Sequence, residues 1–438
     1  MFWVELVVVL AMIVIGARYG GLGLGMMGGL GVAILSFLMD DLPADPPVEV
    51  MLMIAAVVTA AGTLQAAGGM DWLVDLAEKA LRKHPPAITF VAPLVAYVFT
   101  LFAGTGHVAY AILPIIAEVS RDAGVRPERP LSISVIASQQ AITASPISAA
   151  TVALLTMLAG AGITLGGLLA VCVPATLAGV LAGAVVASRM GKELADDPEY
   201  QRRLAAGDVE APRREARPPA TGKAKLSVAL FLLGAVAIVL FGSVPTFRPT
   251  FDVSGREVQM EMADAIEMLM LSIAALMVIF CGAKVEKVAH GSVFQAGMQA
   301  VIAIFGVAWM GDTFFRANQA TVQGPLTRMV EGAPWTFAIA LFVMSILLYS
   351  QAATVRTLMP LGMTVGMPGW ALSGMFPAVN GYFFLPNYPT LVAAINFDRT
   401  GTTRIGRWLL NHSFMIPGLV ASVVSVATGL LLARLILT

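Results

Sequence analysis

Charge is what this chain has least of: Asp, Glu, Lys and Arg make up 12% of its 438 residues, against about 25% in soluble domains. With 58% hydrophobic residues and a mean hydropathy of +0.83, there is more apolar surface than a water-soluble core can hide. The 27 basic and 27 acidic residues cancel, so no basic face is offered to nucleic acid. Cysteine is almost absent, and Cys172 and Cys281 both lie in apolar runs; the four histidines, at 84, 107, 290 and 412, share no ligand spacing. No disulfide framework, metal site or cofactor is expected. No Lys or Arg precedes Arg18, so the start lacks the basic region of a cleaved signal and reads as a retained span.

Catalytic motifs are missing as well. There is no H-E-x-x-H, Walker or nucleophile-elbow pattern, and Gly311-Asp312 falls short of the G-x-G-D of intramembrane proteases because position 309 is Trp. Gly23-Leu-Gly-Met-Met-Gly28 matches G-x-G-x-x-G inside a hydrophobic run with no strand before it. Close helix packing explains it better, and Gly25 with Gly29 forms a GxxxG pair. An enzyme is not expected.

What is present is a series of long apolar runs, near residues 2 to 17, 21 to 39, 48 to 68, 163 to 188, 226 to 244, 263 to 282, 292 to 313 and 411 to 433. Each is long enough to cross a hydrocarbon core of about 30 Å as a helix. Basic residues set the orientation. The acidic stretch 40 to 49 reads as outside, and 189 to 225, with nine Lys and Arg and several prolines, reads as an inside linker between two halves. An amphipathic piece, Trp72 to His84, carries Lys79, Arg82 and Lys83 and suits the inner surface.

Two apolar arms, 86 to 103 and 108 to 119, meet at Ala103-Gly-Thr-Gly-His107 and return to the same basic side, which predicts a re-entrant hairpin over 86–119. The segment 131 to 158 then crosses with a polar break at Thr143-Ala-Ser-Pro-Ile-Ser148, and 163 to 188 closes the half. The second half repeats the order. After a polar surface piece at 316 to 331 it has a hairpin at 334–366 with the tip Ser350-Gln-Ala-Ala-Thr354, a span at 369–398 broken at Leu385-Pro-Asn-Tyr-Pro-Thr390, and a last span. Thr105 to Pro146 is 41 positions and Ser350 to Pro389 is 39. Five crossings per half invert the second copy. The expected fold is an all-α integral membrane protein: an inverted repeat of residues 1–188 and 226–438, ten transmembrane helices, two re-entrant hairpins and both termini outside.

Polar groups at membrane depth survive only beside a cavity or buried in protein, so the four interruptions form the candidate site. Half-helix ends expose free N–H groups that suit anions. The expected binding residues are Gly104, Thr105, Gly106, Thr143, Ser145, Pro146, Ser350, Gln351, Thr354, Arg356, Asn387 and Thr390. Arg356, two residues past Thr354 in an apolar arm, has two readings: it neutralises one carboxylate of a bound dianion, or it makes a salt bridge or snorkels. His107 is a proton acceptor or a polar cap on its loop. Asp312 reads as solvated or capping near the end of its span. Asp398-Arg-Thr-Gly-Thr-Thr-Arg404 reads as a structural ion-pair and turn cluster.

These residues resemble the anaerobic C4-dicarboxylate transporter (Dcu) family over nearly the whole chain. The resemblance is carried by Phe102-Ala-Gly-Thr-Gly106, Ala141-Ile-Thr-Ala-Ser-Pro-Ile-Ser-Ala-Ala150, Gly306-Val-Ala-Trp309, Gly311-Asp-Thr-Phe314, Leu348-Tyr-Ser-Gln-Ala-Ala-Thr354, Leu385-Pro386, Tyr388-Pro-Thr-Leu-Val-Ala-Ala394, Thr400-Gly-Thr-Thr-Arg-Ile-Gly406 and Asn411-His412. It implies a carrier in the bacterial inner membrane that exchanges fumarate, succinate, malate or aspartate, with the elevator-like movement of the wider ion-transporter superfamily. Arg356 stands where the resemblance implies a lysine, which keeps the cation. Dicarboxylate antiport is the expected function. Na⁺- or H⁺-coupled carboxylate uptake is the alternative within transport, and service as the membrane partner of a dicarboxylate sensor kinase is an alternative of another class. A homodimer is expected by analogy with carriers of this architecture.

Overall fold

A backbone without water must close its own hydrogen bonds, and nearly all of this chain does so as helix. The computed structural model describes residues 2–106, 109–207, 209, 221–318, 321, 333–348, 350–386, 388–406 and 410–438. The first half runs α1 (Phe2–Arg18), α2 (Gly20–Leu38), α3 (Val48–Ala66), α4 (Gly69–Lys83), α5 (Ile88–Ala103), α6 (Ala109–Asp122), α7 (Glu128–Ile142), α8 (Ala149–Leu158) and α9 (Leu165–Ala187). After α10 (Pro198–Ala206) come α11 (Gly222–Ser243), α12 (Met262–Cys281), α13 (Val285–Ala289), α14 (Ser292–Ala317), α15 (Thr336–Leu348), α16 (Gln351–Thr364), α17 (Gly369–Met375), α18 (Pro389–Phe397) and α19 (Met415–Ile436).

Packing is reciprocal between the halves. Helix α2 lies on α14 and α3 on α12; α1 covers α2 as α11 covers α12; α9 and α19 pack on each other. The second arm of each candidate hairpin packs against the far half of the opposite broken span, α6 on α18 and α16 on α8. Glycine sets the closest approach. A Cβ on Gly28 would lie 2.2 Å from the Gly306 carbonyl carbon, and one on Gly306 would lie 1.8 Å from the Gly25 carbonyl oxygen. The close pair on α2 is therefore Gly25 and Gly28, not Gly25 and Gly29, whose added Cβ would meet nothing within 4 Å. Helix packing does account for the false dinucleotide motif.

Several expectations shift. Among the described residues six helical segments are long and apolar enough to cross a membrane: Pro85–Ala103, Leu165–Ala187, Gly222–Ser243, Met262–Cys281, Val293–Ala317 and Met415–Ile436. A seventh is Met51–Ala66 with Gly69–Lys83, if that pair, bent by 74°, counts as one. The expected ten exceeds this because α1 and α2 yield shorter apolar helices, Phe2–Gly16 and Leu22–Leu38, and because the broken segments are not continuous helix. Conversely the arm at 86 to 103 is longer than expected, since a 3-10 turn at Pro85–Ala87 runs straight into α5. The last span starts at Met415, after an extended turn in which Ile405 bridges His412. The loop before α12 is not helical: Thr250–Val253 (β1) and Arg256–Gln259 (β2) pair antiparallel, with Ser254 at φ 57 and Gly255 at φ 79 in the turn. Both positive angles are what a two-residue hairpin turn demands.

Helix α4 turns its Met70, Val74, Ala77 and Leu81 face inward, as an amphipathic surface helix should. Arg82 fixes it to the first hairpin by bonding Glu78 at 2.7 Å and Glu118 of α6 at 2.8 Å. The linker is folded at its start instead of being a plain tether. Arg126 reaches Glu128 and Asp197, both at 2.5 Å, with its own side chain 3% exposed. Arg203 donates to the Arg399 carbonyl at 3.2 Å, so α10 ties the end of α9 to the turn after α18. That turn holds as expected, but through hydroxyls and not ion pairs: Asp398 accepts from the Thr400 and Thr403 amides at 2.9 and 2.6 Å and from both the Thr400 and Thr402 hydroxyls. The expected surface piece 316 to 331 lies mostly outside the described residues, and its first residues finish α14.

The glycine seam predicts that Gly306→Val drives α2 and α14 apart, an overpacking cost of about 1–3 kcal/mol or more; a wild-type melting temperature in detergent would contradict it. At Asp197, burial pushes the carboxyl up, but the Arg126 guanidinium and the Tyr200 and Glu199 amides outweigh it and hold it below the ordinary 3.8. With the lower value in the folded state, this stabilisation is complete above about pH 4 and is lost as pH falls through the folded value. Asp197→Asn should cost about 1–3 kcal/mol, because it removes one of the two carboxylates that pair the buried Arg126, and should flatten the acid limb of melting temperature against pH. An unchanged acid limb would count against the network.

Candidate functional site

Each interruption is built from residues that stop a helix while closing the bonds the stop leaves open. Helix α7 ends at Ile142, where Pro146 removes a donor and the chain turns through 143 to 148. The Thr143 hydroxyl donates to the Gln140 carbonyl at 2.8 Å. Ser148 donates to the Ile142 carbonyl at 2.6 Å while accepting the Thr151 amide at 3.1 Å, which caps α8. Ser145 reaches across to the first hairpin and donates to the Leu101 carbonyl at 2.7 Å. In the second hairpin Ser350 caps α16 by accepting the Ala353 amide at 3.2 Å, and Thr354 donates to the Ser350 carbonyl at 2.8 Å. Thr143, Ser145, Ser350 and Thr354 therefore bond backbone in this state.

The first tip packs onto the first break. Gly104 ends α5 at φ 70, where a Cβ would meet Ile147 at 3.0 Å, and a Cβ on Gly106 would collide with the Gln139 amide at 2.3 Å. Only glycine fits this crossing. The Gly106 carbonyl accepts from Ser138 at 3.3 Å, and Ser138 accepts from Thr100 at 3.2 Å. A cavity of about 100 Å³ separates Gly104, Thr105 and Ile147 from α3 and from Val293 and Gly297 of α14, and is mainly apolar. His107 and Asn387 lie outside the described residues.

The second break is wider than 385 to 390. Helix α17 stops at Met375, 3-10 turns follow at Phe376–Val379 and Gly381–Phe383, and helix resumes only at Pro389. This places Asn380 in unwound chain, where it becomes the centre of a chain of amides that the sequence reading missed. Gln351 at the second tip donates to the Gln139 carbonyl at 2.9 Å and to the Asn380 side-chain oxygen at 2.6 Å. Asn380 donates to the Pro377 carbonyl and to the Gln140 side-chain oxygen, both at 3.2 Å. Two backbone carbonyls, which only accept, fix the polarity of the whole chain. Gln140 is left with an amide nitrogen, and Gln351 with an oxygen, that are buried without partners. The second tip is thereby bonded to both broken spans. Gln139-Gln140 at the end of α7, a polar pair in an otherwise apolar stretch, was the legible signal; Asn380 offered none beyond being polar near Pro377.

Thr390 is wholly buried in the first turn of α18, and its hydroxyl lacks a partner. It is not among the residues bonded to the amide chain. Arg356 lies five residues, about 1.4 turns, beyond Gln351 on α16 and is half-buried. Its Nε is buried without a hydrogen bond, and the opposite charges acting on it are Asp312 of α14 and then Glu49 in the first turn of α3. Among the described residues Arg356 forms no salt bridge. Asp312 is likewise half-buried, and it lies inside α14 and not at its cap.

Asn380→Asp removes the amide's donor while keeping its size, leaving the Gln140 and Pro377 oxygens facing a carboxylate. Loss of these bonds should lower stability by about 1–3 kcal/mol, read as a fall in melting temperature in detergent; no fall would show that the amide chain is not formed in the membrane protein.

Sequence comparison adds an independent finding. A family model described as "Anaerobic c4-dicarboxylate membrane transporter" matches residues 1–437. The C4-dicarboxylate transporter DcuA of Wolinella succinogenes is 43% identical over 436 residues, covering 99% of each chain. DcuA of Escherichia coli K12 is 43% identical over 438 residues, covering both chains completely. The anaerobic C4-dicarboxylate transporter DcuB of Escherichia coli O6:H1 is 39% identical over 451 residues, covering 99% of each.

Proposed function

The chain belongs to the anaerobic C4-dicarboxylate membrane transporter family, and from that premise we propose that it exchanges C4-dicarboxylates across the inner membrane at one site between its two halves. It is a multi-pass carrier of C4-dicarboxylates and not an enzyme. The finer reading is antiport by alternating access. One substrate carboxylate sits on Arg356, and the other is held by the unmatched amide nitrogen of Gln140, kept in place through Asn380 and Gln351, with Thr105, Asn387 and Thr390 as further donors.

The observation that carries this reading is Arg356: a guanidinium in an apolar arm, with a buried nitrogen that no described residue satisfies, five residues from Gln351 on the same helix. A buried donor without an acceptor costs about 1–3 kcal/mol, more when charged, and a carboxylate removes that cost. The amide chain supports it by leaving one donor, on Gln140, fixed in direction and unmatched. An anion site made of one cation and neutral amides needs no metal, and among the described residues no group of three or more His, Cys, Asp or Glu could hold one.

Alternating access draws on the reciprocal packing. Contacts between the halves recur with the halves exchanged, α2 on α14 and α3 on α12, as two inverted copies around one site would give, and residues 1–188 and 226–438 serve as the copies in this reading. The frame is then α1, α2 and α3 with α11, α12 and α14, and the moving part is the two hairpins, the two broken spans, α9 and α19. Short acidic loops opposite a basic linker favour both termini on the periplasmic side.

Arg356→Ala in proteoliposomes should weaken succinate exchange about 10–100-fold, the range for losing a hydrogen bond to a charged group, with Arg356→Lys keeping part of it. Exchange at wild-type affinity in folded Arg356→Ala would remove the arginine from the site.

A further inference from the structure

The arm that carries Arg356 is pressed against a helix of the frame. A Cβ on Gly311 of α14 would lie 3.8 Å from the Thr357 Cβ and 3.3 Å from its hydroxyl. The next residues along each helix are Asp312 and Arg356, one on each side of this seam. No salt-bridge contact joins them, no hydrogen bond is formed by either side chain among the described residues, and yet each is the leading opposite charge acting on the other. The Thr357 hydroxyl at the seam is also buried without a partner. Glu49, the second carboxylate acting on Arg356, belongs to α3, another frame helix. The mobile arm thus holds the cation, and the frame holds the anions.

We propose that Asp312 is a latch residue that makes the carrier an obligate exchanger. This rests on the reading that Arg356 takes a substrate carboxylate and that its arm moves against the frame. With the site empty, the described carboxylates that compensate Arg356 are Asp312 and Glu49, so moving the arm would separate partly buried opposite charges, which is costly at low dielectric. The empty carrier stays put. A dicarboxylate that places one carboxylate on Arg356 supplies a counter-ion that travels with the arm, and Asp312 is released on the frame side, where it is partly exposed. The loaded carrier crosses. Substrate binding and freedom of the arm are then one coupled equilibrium. The residue acts through Arg356 and does not touch substrate.

The test separates net flux from exchange. In proteoliposomes loaded with and without internal succinate, wild type should take up labelled succinate only with succinate inside. Asp312→Asn should raise the ratio of net to exchange flux at least about fivefold, the low end of coupling between sites, whereas Asp312→Glu should keep strict exchange. Strict exchange in Asp312→Asn, loss of all transport in that folded variant, or equal leakage in Asp312→Glu would each overturn the latch. If Asp312→Asn does not fold, Gly311→Cys with Thr357→Cys gives a second readout, since 3.8 Å between Cβ atoms suits a disulfide. The cross-link should form without substrate and slow at least about fivefold when succinate is added; formation at the same rate overturns the proposal. Absence of succinate exchange by wild type would instead bring down the functional reading beneath it.

Discussion

Unwound backbone inside a membrane must find its hydrogen bonds within the protein, and the rest of this structure follows from how that demand is met. At the break after α7, Thr143, Ser145 and Ser148 each donate a hydroxyl to a carbonyl that the broken helix or the neighbouring hairpin leaves open. Ser350 and Thr354 do the same at the second tip. These hydroxyls allow half-helices to end where an anion can reach them, so their first role is to make a break tolerable and their second is to shape what it faces.

Once the hydroxyls are engaged with backbone, the groups left to meet a substrate are fewer. They are the amide nitrogen of Gln140, whose direction is set by the Gln139 and Pro377 carbonyls through Gln351 and Asn380, and the guanidinium of Arg356. In the proposed reading this small set suits a dicarboxylate, with one full charge for one carboxylate and a neutral donor for the other. It also links parts that would have to move together, because Gln351 joins the second tip to both broken spans. In the proposed reading the cation is also the point at which the arm and the frame meet, through Asp312 and Glu49.

Much of this was legible in the sequence because hydropathy and Pro or Gly punctuation act locally. The two tips, the break at 143 to 148, the amphipathic face of α4 and the final spans follow from runs and stops along the chain. What was not legible depends on distance in space. The break before α18 is stretched from 385 back to 376 by two 3-10 turns, and nothing in Phe376-Pro-Ala-Val379 distinguishes a short turn from a kinked helix. Asn380 matters only because Gln140, 240 positions away, lies opposite it. The folded start of the linker depends on Asp197 meeting Arg126, 71 positions earlier, and charge composition alone read as a tether. Asp312 looked like the end of a helix until α16 was placed beside it.

The central claim is that one substrate occupies the junction of the second tip, the two breaks and Arg356. A structure determined with succinate bound tests it most directly. The account predicts a carboxylate against the Arg356 guanidinium, and the molecule within hydrogen-bonding distance of the Gln140 amide nitrogen. Succinate ordered elsewhere, such as in the polar cavity of about 460 Å³ beside Arg404, Asn411 and His412, with Arg356 still facing only Asp312 and Glu49, would contradict it.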